Sequence, residues 1–163
     1  MIMPYLSFDG NCEEAFLWYA EIFNGKIQHM SMYGDVPANP AAPMNEEQKR
    51  KVMHAQLSLP GLGAISGSDV LWPVENGNAI SIHAHLVEEN VARKAFAALS
   101  EGGRVLGGLQ ENPPPDDDGV SGCVRDKYGF TWIISAMKSK WFAPLCHDEY
   151  LKRPAGIPGR AFF

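Results

Sequence analysis

Cysteine is scarce in this chain, and its pattern is not one of pairs. Cys12, Cys123 and Cys146 stand at unrelated spacings with no Cys-x-x-Cys among them. That excludes a disulfide framework and a zinc knuckle, and it suits a reducing compartment. Positive charge is scarce as well. Fourteen Lys and Arg face 19 Asp and Glu, for a net charge of −5. The densest basic run, Lys49-Arg50-Lys51, follows Glu46-Glu47 and reads as a solvated helix end or turn. Nucleic acid is therefore not an expected partner. No apolar run approaches the roughly 18 residues of a membrane span. The opening MIMPYLSFDGNCEEAF has neither the basic flank nor the apolar core of a signal peptide. The expectation is a cytoplasmic protein with no membrane partner. Fingerprints of the Gly-x-Ser-x-Gly, Walker and dinucleotide-binding kinds are absent too.

What is present is an ordinary globular balance, 45% hydrophobic and 20% charged over 163 residues, enough for one core. Periodicity predicts a strand over Pro4–Phe8, stopped by Asp9-Gly10-Asn11, and then an amphipathic helix. In that helix Ala15, Phe16, Tyr19, Ile22 and Phe23 share a face. Glu13 and Glu14 occupy the first turn, and Asn24-Gly25 stops it. Strands are predicted over 26–33, 51–59 and 62–68, with a proline-rich loop after the first and PGLG as a tight turn between the last two. The second half repeats this order. A strand over 79–87 leads to a helix over Glu89–Ser100, closed by Gly102-Gly103, and strands follow over 104–110, 120–125 and 130–135. The loop ENPPPDDDG fits neither a helix nor a central strand. An order of strand, helix and three strands repeated within one chain is the strongest organisational signal here.

Within the second half, SIHAHL places His83 and His85 two residues apart in a strand, so they share one face. Two imidazoles on one face are half of a metal site or two polar residues on the wet side of a sheet.

Three stretches carry a resemblance. PYLSFDGNCEEAFLWYAEIFNGKI, KVMHAQLSLPGLGAISGSD and CVRDKYGFTWIIS are similar to elements of the PhnB-like branch of the vicinal oxygen chelate superfamily, which holds glyoxalases, bleomycin-resistance proteins and extradiol dioxygenases. The resemblance covers roughly residues 3–136. It implies an α+β fold of two tandem βαβββ modules, 1–70 and 79–136, forming a cup-shaped mixed sheet with helices on the outer face. It also implies a homodimer and a small-molecule ligand. Residues 137–163 are then a C-terminal extension lying on the domain surface or on a partner subunit. Some members of the branch carry a name borrowed from demethylubiquinone methyltransferases. This chain shows no glycine-rich loop after a strand of the kind that cradles S-adenosylmethionine.

In the superfamily a divalent metal sits in the cup, held by the first and last strands of both modules. By alternation, Ile80, Ile82, Ala84 and Leu86 should meet a helix, leaving Ser81, His83, His85 and Val87 in the cup. His83 falls on the superfamily's ligand position. Its counterparts here are Met3, Ser66 and Ile133, none a good ligand for a hard or borderline divalent ion. No cofactor is therefore favoured, and the metal-dependent glyoxalase reading is set aside.

His54 keeps a second constellation open. With Met53, Ala55, Leu57 and Leu59 towards the helices, Val52, His54, Gln56 and Ser58 face the cup. The expected pocket then comprises Tyr5, Ser7, His54, Gln56, Ser66, Ser68, His83, His85 and Arg125. If His54, His83 and His85 converged, three imidazoles and water would hold a transition metal and support a lyase or dioxygenase. If the width of the sheet keeps them apart, they are hydrogen-bonding pocket residues of a metal-free binder, including one that sequesters a compound. Cys12, at a helix start, is a lowered-pKa thiol or a packing residue.

Overall fold

The structure is a computed structural model that describes residues 2–116 and 118–138. The predicted extension lies outside the described residues, apart from Met137 and Lys138. The order of elements is β1 (Tyr5–Phe8), α1 (Cys12–Ile22), β2 (Lys26–Met32), α2 (Glu46–Lys49), β3 (Val52–Leu59) and β4 (Gly63–Asp69). Then follow β5 (Ile82–Leu86), α3 (Glu89–Ser100), β6 (Arg104–Glu111), β7 (Gly119–Arg125) and β8 (Thr131–Met137). The first sheet runs β1-β4-β3-β2 and the second β5-β8-β7-β6. In each, the outer first strand is parallel to the last and the other pairs are antiparallel. The two sheets thus have one topology, and the fold is α+β with tandem βαβββ modules, as expected.

One face of each sheet is closed by its own helix. Ala15, Phe16 and Tyr19 of α1 are buried with Leu6, Ala55, Leu57 and Ile65, while Ala92, Ala95 and Leu99 of α3 are buried with Ala84, Val120 and Ile134. Close approach depends on glycine at one place in each sheet. A Cβ on Gly67 of β4 would come within 3.0 Å of the Phe16 ring, and one on Gly122 of β7 within 2.8 Å of Phe96. An aromatic ring from each helix therefore fills the space a side chain would take.

Asp69, at the end of β4, is 2% exposed and accepts from three backbone amides: Gly10 at 2.8 Å, Cys12 at 3.0 Å and Val52 at 2.8 Å. Its carboxylate thus fixes the entry to α1, where negative charge also suits the helix's positive end. Asp126, just past β7, accepts from Tyr19 Oη at 2.5 Å, from Trp132 Nε1 at 2.8 Å and from the amides of Tyr128 and Phe130. Because Tyr19 belongs to α1, this carboxylate fastens the first module to the second. Glu14 reinforces the joint, accepting from Lys127 Nζ at 3.0 Å and Tyr128 Oη at 2.7 Å. Rings continue the core across it: Phe8 lies 5.0 Å from Phe130, and Tyr19 5.2 Å from the fully buried Trp132.

Several expectations need correction. Ile80 is not on the helix-facing side of a strand. It precedes β5 and is 85% exposed. Val52 does not face the cup but is buried in the core, because the β2–β3 register shifts where Met32 pairs with it. Cys12 is the packing residue of its two readings. It is fully buried, and burial, followed by the charge of Asp69, pushes its thiol up rather than down.

Candidate functional site

The uncovered face of the second sheet is built from strand register. Parallel pairing sets His83 opposite Ile133 and His85 opposite Ser135. Antiparallel pairing then sets Cys123 opposite Ile133 and Ser121 opposite Ser135. The face therefore carries a mixed row, His83–Ile133–Cys123, beside a polar row, His85–Ser135–Ser121. The rings of His83 and His85 lie 6.2 Å apart at 78°. His83 Nε2 and His85 Nδ1 both approach Ser135 Oγ at 2.8 Å. Ser121 Oγ donates to Asn112 Oδ1 at 2.7 Å. The two histidines, Ser121, Ser135 and Asn112, with Asp116 and Ala136, line a cleft of about 280 Å³, in which Ile133 forms an apolar wall.

The first sheet carries a different arrangement on its corresponding face. Tyr5 and His54 stack with centroids 5.9 Å apart, Tyr5 Oη stands 3.4 Å from His54 Nδ1, and His54 lies 5.8 Å from His29. Since β4 lies between β1 and β3, this row of rings crosses over it, where Ser66 and Ser68 are buried. Gln56 is half-buried opposite Ser66, and Ser7 pairs with Ser68. Tyr5 and Ser7 also border a second cleft of about 350 Å³ between β1 and the 74–82 linker, backed by Ile82 and Phe130. Arg125 is turned towards the linker carbonyl of Gly77 at 3.4 Å, and its Nε has no hydrogen-bond partner among the described residues.

The three-histidine centre does not form. His54 keeps company with Tyr5 and His29 on one sheet, while His83 and His85 meet on Ser135 of the other. Among the described residues, no group of three His, Cys, Asp or Glu is placed to hold a metal ion. The superfamily's own ligand positions fit no better. Met3 Sδ accepts from Ser66 Oγ at 3.4 Å, and Ile133 is the residue beside His83. A thioether, a hydroxyl and an isoleucine do not make a site for a divalent ion.

Ser135 and His29 are absent from the residues expected from sequence. The alternation that places Ile133 on the open face places Ser135 there too, two residues on, but its pairing with both histidines depends on a register no local pattern reveals.

Paired βαβββ modules, each with one helix-covered and one open sheet face, define the vicinal oxygen chelate fold. The same fold appears at 14% identity and a TM-score of 0.57 in a glyoxalase/bleomycin resistance/dioxygenase domain from Frankia, over 85% of this chain and 92% of that one. More particularly, the family described as 3-demethylubiquinone-9 3-methyltransferase matches residues 1–135, and the chain belongs to that PhnB-like family. Among solved structures, protein PA1353 of Pseudomonas aeruginosa is 33% identical with a TM-score of 0.72, covering 85% of this chain and 98% of that one. The PhnB protein of Bacillus cereus is 24% identical with a TM-score of 0.66, covering 83% and 98%.

Proposed function

We propose that this protein binds a small organic molecule in the His83–His85–Ser135 cleft, without the metal set usual in its superfamily. One observation carries the reading: two imidazoles converge on a single hydroxyl inside a partly apolar cleft. A concave site with an apolar wall and a few convergent polar groups is the usual form of a small-molecule site. The reading includes a cytoplasmic homodimer. Apolar residues that remain exposed on the edge strand β6, Val105 and Leu106, suit burial against a second copy. The chain has no glycine-rich loop for S-adenosylmethionine, so the methyl transfer in the family's description is not part of the reading.

The test is a thermal-shift screen of aromatic, polar and cationic compounds against the wild type and His83→Ala. At a hundredfold excess over Kd, a ligand stabilises by about 2.7 kcal/mol, a shift of several degrees. Compounds that stabilise the wild type should lose their effect in the variant. Hits that keep their full shift there would contradict the site. Stoichiometric zinc, manganese, nickel or iron in untagged protein, lost on His83→Ala, would overturn the metal-free part.

A further inference from the structure

Arg104 and Arg125 are register partners across β6 and β7. In the neighbouring pair, Val105 and Val124, Val124 is buried in the core, so alternation turns both arginines to the open face. Like charges directly opposite each other on a sheet are destabilising. Among the described residues neither arginine takes part in an ion pair that would offset this. Asp126, next in the chain, is held in the core by Tyr19 and Trp132, and Glu75 of the linker pairs with neither arginine. Arg125 is half-buried, and its Nε is buried with no hydrogen-bond partner among the described residues. One of its terminal nitrogens reaches the Gly77 carbonyl at 3.4 Å. A guanidinium so placed is short of both an acceptor and a counter-charge.

We propose that Arg104 and Arg125 form an anion subsite next to the His83–His85–Ser135 cleft, and that the ligand is an organic carboxylate with an apolar body. A planar carboxylate matches the guanidinium fork, and its two oxygens suffice for two arginines. The face also orients such a ligand. Thr131 stands beside Arg125 in one row. The next row on the same face is Cys123–Ile133–His83, about 6.6–6.8 Å further along the strands. An apolar body lying over Ile133 therefore carries a second polar group to His83. Asp116 lines the cleft beyond that row and repels a carboxylate from it, which leaves the arginines as the charged end. A benzene ring between a carboxylate and a hydroxyl, as in 4-hydroxyphenylacetate, has this form. The ligand's passage over Ile133 to His83 rests on the cleft being the binding site, whereas the arginine subsite does not.

Arginine Nε–H and histidine imidazole signals of the ¹⁵N-labelled full chain, titrated with 4-hydroxyphenylacetate and with its uncharged amide, read the two parts separately. The carboxylate should move the signals of Arg104, Arg125 and His83 while Arg50 and Arg93 stay in place. It should act at concentrations at least tenfold below those of the amide. Arg104→Gln and Arg125→Gln should each remove that advantage. Because Arg104→Gln also ends the repulsion, it should raise the Tm of the protein without ligand. Equal potency of acid and amide in the wild type, an advantage kept in both variants, or a lower Tm in Arg104→Gln would overturn the anion subsite. Inorganic phosphate as potent as the carboxylate would overturn the carboxylate class alone. Movement of His83 without the two arginines would overturn the subsite and leave the cleft reading in place. Movement of the arginines without His83 would contradict the cleft reading and leave the subsite standing. No movement at any of the three would overturn the subsite, with the cleft still decided by the thermal-shift screen.

Discussion

Asp69 holds three backbone amides, two through Oδ1 and one through Oδ2. Removing a buried acceptor leaves each donor with its desolvation cost, so Asp69→Ala should destabilise the fold by about 3–5 kcal/mol. A lowered midpoint in urea denaturation, with an unchanged slope, is the expected result. Little of this was legible in the sequence, where Asp69 ends a strand and its partners are 59, 57 and 17 positions away. The residues of the candidate cleft were half legible. Alternation put His83 and His85 on the open face without knowledge of any other strand, because a side-chain period of two is local. Ser135, which joins them, required the β5–β8 register, and that is set by the packing of a whole module.

At the scale of elements, α1 and the turn between β7 and β8 form the joint of the molecule. The stretch RDKYGFTW was recognisable as a hairpin, but its partner, α1, lies more than a hundred residues earlier. Tyr19→Phe removes a buried hydrogen bond to a carboxylate and should cost about 2 kcal/mol in chemical denaturation. A second expectation concerns pH. The hydrogen bond from Tyr128, and then Lys127, holds the Glu14 carboxyl below its ordinary range. A carboxyl whose folded pKa is depressed stabilises above its unfolded value, about 4.3, and loses that contribution as pH falls through the folded value. The difference in Tm between the wild type and Glu14→Gln should therefore be constant near neutrality and close on acidification below about pH 4. A gap that widened in acid would contradict the assignment of these partners.

For the whole molecule, the repeated order of strand, helix and three strands was plain in the sequence because each module writes its own periodicity and its own turns. How one module's open face relates to the other's is written in no such pattern. That relation is held by Asp126, Glu14 and the rings around Trp132, whereas strand order and register within each sheet keep His54 with Tyr5 and His29 and bring His83 and His85 together on Ser135. Under the proposed function the two open faces do different work, with ligand binding on the second. The most direct measurement is imidazole-resolved NMR of the full chain, titrated with a compound that stabilises it in the thermal-shift screen. The signals of His83 and His85 should move with saturation while those of His29 and His54 stay in place. Movement confined to His29 and His54, or no movement at any of the four, would contradict the account.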